Sequence, residues 1–278
     1  MSHLNIILNN SGYYQKFNYP AGETQVRLTD EGLEAVRRAA QNVSIRADIR
    51  NAEDLMSLAL LVDAVAAVSG WMPAILIPYL PYSRADRRFT PGDCLGLEIF
   101  SRVLDSMDAE SITTWDIHNP VAAQRTCPGI VDVSAIPAIT SVIGEIARNT
   151  GKITVLYPDK GAADRYVLPA EIACNTVSIK VTVLKCEKKR DAESGKFLGF
   201  TVPEDFPSGP VLIVDDICDG GGTFVGIADA IAHHGLDLNL YVTHGIFSKG
   251  TAMLFSRFSR IFSTDSFPVP EGVQKVNI

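Results

Sequence analysis

The sequence predicts an α/β protein built from two doubly wound halves with mainly parallel sheets. Short β-rich apolar runs alternate with longer amphipathic stretches, the alternation occurs in two series, and runs end in an acid at Asp116, Asp159 and Asp215. The chain has 278 residues, 46% hydrophobic and 21% charged, enough apolar side chain for sizeable cores and too much for a disordered polymer.

In order, Ile6–Leu8 is a short apolar strand, and Glu31–Ala40 is a helix with apolar residues at three- and four-residue spacing. Ser44–Ile49 is a strand, Ala52–Val68 a long helix of the same pattern, and Ala74–Pro78 a strand closed by proline. Leu95–Leu104 is a helix and Ser111–Trp115 a strand. Asn119–Ile139 carries Pro120, Pro128, Gly129 and Pro137, so it reads as the joint between domains of residues 1–135 and 136–278. Beyond it come helix Ile136–Arg148, strands Ile153–Tyr157, Thr176–Leu184 and Val211–Val214, helix Thr223–His233 and strand Leu238–Val242.

Composition excludes several classes. Acidic residues (32) outnumber basic ones (25), giving −7 with no long Lys/Arg run, which argues against sequence-independent nucleic-acid binding. Five scattered cysteines without a C-x-x-C pair read as reduced thiols of a cytoplasmic protein, not as a disulfide framework or zinc ribbon. Met1 to Asn10 lacks a basic start, and the apolar region Leu58–Leu80 is broken by Asp63, Gly70 and Pro73, so neither secretion nor membrane insertion is expected.

The segment richest in chemistry is Val211-Leu-Ile-Val-Asp215-Asp216-Ile-Cys-Asp219-Gly220-Gly221-Gly222-Thr223, a strand running into two acids, three glycines and a helix start. Glycines let backbone N–H groups converge on an anion and the helix N-terminus adds positive potential, so Asp219–Thr223 suits a phosphate. Asp215 and Asp216 suit vicinal sugar hydroxyls or a hydrated Mg²⁺. The plainer alternative is a helix capped by Asp219 or Thr223, which leaves the acid pair unexplained.

This segment resembles the phosphoribosyl-diphosphate loop of type I phosphoribosyltransferases and of ribose-phosphate diphosphokinases. Further segments resemble the diphosphokinase family in order: Asn18 to Thr24, Asn51 to Met56, Ile77 to Arg88, Asp116 to His118, Tyr157 to Asp159, Glu187 to Arg190 and Thr243 to Ser248. The resemblance implies two type I phosphoribosyltransferase-like domains. It also implies an enzyme of nucleotide biosynthesis that moves the β,γ-diphosphate of ATP, with Mg²⁺, to the anomeric hydroxyl of ribose 5-phosphate and releases AMP.

By that resemblance His118 and Asp159 are metal ligands; Arg84, Asp86, Tyr19, Glu23 and His118 belong to the ATP site. Asp215, Asp216, Asp219, Gly220, Gly221, Gly222 and Thr223 hold the sugar phosphate, and Lys188 and Arg190, on a basic loop or hairpin spanning Glu187–Gly199, neutralise charge during transfer. A homo-oligomer, dimer or higher, is implied because the turn around Tyr19 completes a neighbour's site in this family. Three departures stand out: Ala21 in the adenine turn, Phe89–Asp93 in place of a basic regulatory stretch, and Gly220 where the family commonly has Thr. Gly220 is expected to open the pocket wall, which admits ADP-ribose as an alternative acceptor in NAD synthesis. A catalytically silent regulatory homologue is the reading from another functional class, and a simple phosphoribosyltransferase would account for the second half alone.

Overall fold

The computed structural model describes residues 3–10, 12–166, 171–174, 177–190 and 197–278, with side chains left out at 171–178, 188–190 and 197–198. Contacts divide the chain into two units, Met1–Val133 and Ser134–Ile278. The architecture is α/β with mainly parallel sheets, as the alternation of elements predicts.

In the first unit, β1 (Leu4–Ile7) leads into an antiparallel hairpin, β2 (Tyr14–Asn18) and β3 (Thr24–Leu28), then α1 (Asp30–Ala39). β4 (Val43–Arg46), α2 (Ala52–Ser69), β5 (Ala74–Ile77), α3 (Gly96–Asp105), β6 (Ser111–Trp115), α4 (Pro120–Thr126) and β7 (Ile130–Val133) follow. The sheet order is β1-β4-β5-β6-β7, all parallel. Each crossover steps the same way, so the winding of this unit never reverses, a departure from the doubly wound expectation. Alternation of elements does not reveal the direction in which a crossover steps. Right-handed connections stepping one way place their helices on one face. The core agrees: Ile6, Ile45, Ile75, Ile77 and Ile112 form one cluster with α1 Val36, α2 Leu58 and Leu61, α3 Leu97 and α4 Ala123. The intervening strand residues face the other way, with Ile7 and Val131 exposed.

The second unit comprises α5 (Ile136–Ala147), β8 (Lys152–Tyr157), α6 (Lys160–Arg165), β9 (Glu171–Cys174) and β10 (Val177–Lys185), then the hairpin β11 (Glu187–Arg190) and β12 (Phe197–Thr201). β13 (Val211–Cys218), α7 (Gly222–Ala230), β14 (Leu238–Gly245), α8 (Ala252–Phe255), β15 (Arg260–Ser263) and β16 (Gln274–Lys275) complete it. Its sheet order is β16-β15-β14-β13-β8-β10-β9, parallel except for β9 against β10. Here the winding reverses, and both faces are covered. One cluster joins Ile153, Val155, Leu212 and Val214 to α5; another joins Leu156, Ile213, Leu240 and Val242 to α7. Strands buried on both faces read as continuous apolar runs.

Two sequence boundaries need correction, and the expected joint holds more structure than its Pro and Gly suggest. The division between the units at Val133–Ser134 falls inside Asn119–Ile139, where Asn119 caps α4, Pro120 opens it and β7 follows. Asn followed by Pro at the first helical position is itself a helix-start signal. Val211–Val214 is only half of β13, since pairing with β14 carries the strand to Cys218. The helix expected over Thr223–His233 ends at Ala230, with a 3-10 turn over Ala232–His234.

Candidate active site

In the second unit β8 and β13 are neighbours, paired from Val211↔Thr154 to Ile213↔Leu156. The chain leaves β8 toward β10 and β13 toward β14, so a crevice opens between their carboxyl ends at the point where strand order reverses, the position at which open α/β sheets bind ligands. Asp159 follows β8, Asp215 and Asp216 lie near the end of β13, and Asp219–Thr223 joins β13 to α7.

Asp159 caps α6, its Oδ1 accepting from Ala162 N–H at 3.0 Å. Arg165, at the far end of that helix, reaches Asp216 Oδ2 at 3.5 Å. The ion pair ties the connection after β8 to β13, and only 5% of the Asp216 side chain is exposed. Arg165 carries no motif of its own, and only tertiary folding brings it here.

The acid pair sits inside β13 rather than after it, with Asp216 N–H donating to Asp215 Oδ1 at 2.9 Å. Burial, then the Asp216 charge and hydrogen bond, push the Asp215 carboxyl well above the usual carboxylate range. Two adjacent carboxyl groups near a strand end present oxygens suited to vicinal hydroxyls. Cys218, which ends the strand, is no thiolate nucleophile, since burial pushes its thiol up to about 12.

The turn that follows is not side-chain capped. Gly221 is the N-cap of α7 with φ +76, a left-handed conformation that favours glycine, and no side chain bonds to the helix start. Asp219 accepts instead from the Ser248 hydroxyl at 2.5 Å, and Thr223 lies within the helix. The capped-helix alternative therefore fails. First-turn N–H groups of α7 remain for an acceptor from outside. A Cβ on Gly222 would meet nothing within 4 Å, but one on Gly220 would lie 3.3–3.6 Å from the Lys249 side chain. The wall expected to be missing at Gly220 is supplied by that lysine.

The hairpin β11–β12 carries Lys188 and Arg190, whose side chains lie outside the described residues, as do residues 191–196 of the basic loop. The register is irregular between Lys189 and Arg190. The second strand packs on α7, where a Cβ on Gly226 would lie 3.1 Å from Phe200.

In the first unit the site candidates follow three elements. Tyr19 and Glu23 close the β2–β3 hairpin, with Tyr19 N–H donating to Glu23 O at 2.8 Å. The exposed Tyr19 ring meets Phe17 edge-on at 5.7 Å, and the Arg27 guanidinium lies 5.3 Å above Phe17. Neither Phe17 nor Arg27 carries a motif of its own, and the hairpin that brings them together is not among the elements the sequence pattern predicts. Arg84 is exposed in the connection after β5. Asp86 is not open in the same way: its side chain is 4% exposed and accepts from Asn119 Nδ2 at 2.7 Å and Arg87 Nε at 3.1 Å. Burial pushes its carboxyl up, but Asn119 and Arg87 outweigh that and hold it below the usual range. It braces the connection against the start of α4. Arg88 bonds to the Asp93 carbonyl, and Asp93 holds Phe89 and Thr90 N–H at 3.0 and 2.8 Å, closing a turn over Phe89–Asp93.

His118 lies half-buried just beyond β6. Asp116 before it turns the chain with φ +46, its N–H bonding Val133 O at 3.0 Å while Ile117 N–H bonds Asp132 Oδ1 at 3.0 Å. Ile117 thereby enters the core at 1% exposure, and His118 next to it stays half-buried. Left-handed backbone at a non-glycine residue is costly and clusters at working sites.

The chain is similar over most of its length to curated proteins named ribose-phosphate pyrophosphokinase. That of Thermococcus kodakarensis is 32% identical over 264 residues, covering 94% of this chain and 87% of the relative. That of Methanopyrus kandleri is 31% identical over 267 residues, covering 94% and 85%. A crystal structure of phosphoribosylpyrophosphate synthetase from Mycobacterium smegmatis shares the fold with a TM-score of 0.71, covering 96% of this chain and 91% of that one at 18% identity. No family model matches the chain.

Proposed function

The chain belongs to the ribose-phosphate pyrophosphokinase family, enzymes that transfer a diphosphate group, and we propose that it moves the β,γ-diphosphate of ATP to the anomeric hydroxyl of ribose 5-phosphate, releasing AMP. The observation that carries this reading is the uncapped glycine turn beside the adjacent acids Asp215 and Asp216 at the reversal point of the second sheet. The first-turn N–H groups of α7 hold the 5-phosphate. Asp215 and Asp216 hold the ring hydroxyls, and Arg165 keeps Asp216 in place. Such fixation turns an encounter of two substrates into a positioned reaction, which together with charge stabilisation is the main contribution a protein makes to phosphoryl-type transfer.

On the nucleotide side, the exposed Tyr19 ring offers a stacking face and Glu23 a polar edge for adenine, while Arg84 presents a guanidinium fork to phosphate oxygens. Lys188 and Arg190 add positive charge during transfer. His118 of the first unit and Asp159 of the second are the Mg²⁺ ligands of this reading, one imidazole and one carboxylate; Mg²⁺ ordinarily keeps several water and phosphate oxygens beside few protein ligands, and among the described residues no group of three or more His, Cys, Asp or Glu could hold a metal ion. Bound there, Mg²⁺ would neutralise charge on the diphosphate. Among the described residues no helix is long and apolar enough to cross a membrane. A cytoplasmic homo-oligomer, with the Tyr19 turn completing a neighbour's site, is part of the same reading.

The test is AMP release from Mg·ATP with ribose 5-phosphate, ADP-ribose or no acceptor. Release dependent on ribose 5-phosphate is expected, and His118→Ala should abolish it with the fold intact. Release with ADP-ribose alone would transfer the assignment to that acceptor. Silence with both, in a folded protein, would favour a regulatory homologue.

A further inference from the structure

We propose that Lys249 is a specificity-determining residue whose ammonium recognises the anionic 5-substituent of the sugar acceptor, and that position 220 is glycine so that the lysine can cross the loop. The inference rests on the sugar-phosphate assignment of the glycine turn and adds to it a side chain that no motif carries.

Gly220 and Gly221 differ in what they require. Gly221 has φ +76, and an added Cβ would also meet Leu254 at 3.2 Å. Gly220 has no such backbone constraint. The three atoms nearest to a Cβ there all belong to Lys249, with Cδ at 3.3 Å, Cε at 3.4 Å and Cγ at 3.6 Å. The methylenes of Lys249 thus occupy the place a side chain at 220 would take.

The crossing is anchored from both ends. Ser248 N–H donates to Asp219 O at 3.2 Å, its hydroxyl donates to the Asp219 carboxylate, and Phe247 N–H donates to Cys218 O at 3.1 Å. Phe247 itself is buried in the core under α7. At the end of β14, Thr243 and His244 are locked to the segment that follows β15: Thr264 Oγ1 donates to Thr243 O at 2.6 Å, and His244 Nδ1 bonds Ser266 Oγ at 2.9 Å. The turn bearing Lys249 is therefore pinned to the phosphate loop.

Charge explains why a cation belongs there. Asp159, Asp215, Asp216 and Asp219 flank the crevice, and a phosphate dianion entering it is repelled by those that are ionised. Backbone N–H dipoles offset part of that repulsion. Arg165 is committed to Asp216. Lys249 is exposed, lies against the loop and is held in no ion pair by a described residue. A long flexible stem with three donors suits an oxygen-rich anion at the loop mouth.

Titration calorimetry of ribose 5-phosphate against the full-length protein tests the idea without requiring turnover. Lys249→Met keeps most of the methylene packing and removes the charge, so it should weaken binding about tenfold while leaving KM for ATP unchanged. Gly220→Thr should displace the lysine and weaken binding similarly, and the Gly220→Thr/Lys249→Met double variant should be no worse than Gly220→Thr alone. Unchanged binding in Lys249→Met, or additive losses in the double variant, would overturn the assignment while leaving the proposed reaction intact. A wild-type protein that neither binds ribose 5-phosphate nor releases AMP with it would instead remove the sugar-phosphate reading, and the Lys249 inference with it.

Discussion

The strand-to-helix turns after β4 and after β13 solve the same problem in opposite ways. After β4, Asn51 caps α2 by accepting from Asp54 N–H at 2.9 Å, and the buried Asp54 carboxylate accepts from Arg50 N–H at 3.0 Å and from Asn9 Nδ2 at 2.6 Å. The first unit thus places its own side-chain oxygens and its own carboxylate at the helix start. After β13 the cap is a left-handed glycine with no side chain to offer, and the helix start is left for an anion from solution. The sheets differ in parallel. The first winds one way and buries one face, whereas the second reverses at β8 and β13, buries both faces and opens a crevice beside its uncapped turn. A helix N-terminus becomes a ligand site where the chain withholds its own cap.

The largest expected contrast is in stability. Phe262, 1% exposed in the doubly covered sheet, should cost about 3–5 kcal/mol when replaced by Ala. Val131→Ala, on the open face of the first sheet where the side chain is 50% exposed, should cost less than about 1 kcal/mol by chemical denaturation. Equal costs would mean that the first sheet's outer face is covered in solution.

Gly221→Ala sharpens the comparison at the turns themselves. It forces a side chain into left-handed backbone and against Leu254, so kcat/KM for the sugar phosphate should fall about a hundredfold, or about 2.7 kcal/mol. A normal rate would place the phosphate elsewhere. The reverse outcome is expected after β4. Asp54→Ala strands two donors and should destabilise by about 1–3 kcal/mol, and Asn51→Ala by about 1 kcal/mol, each with little change in KM for either substrate. A KM change larger than the stability loss can explain would give the first turn a ligand of its own.

Much of the fold was legible because capping and periodicity are local. Strand Ser111–Trp115 and the starts of helices Ala52 and Ile136 stand where the pattern puts them. The β2–β3 hairpin was missed because its exposed, polar strand residues carry no apolar run. β13 was cut short because two aspartates in succession look like a loop, while pairing with β14 keeps them in the sheet. The site shows the same division. The glycine turn and acid pair are contiguous in sequence, but Arg165 and Lys249 reach them only through tertiary packing. The resemblance assigns Asp86 to the ATP site, yet Asn119, 33 residues away, draws it inside.

The contrast between the two turns is measured most directly by amide hydrogen exchange with and without saturating ribose 5-phosphate. Slowed exchange at the start of α7, residues 222–224, with none at the start of α2, residues 52–54, is the expected result. Protection at α2, or no protection at α7 under conditions where calorimetry detects binding, would contradict it.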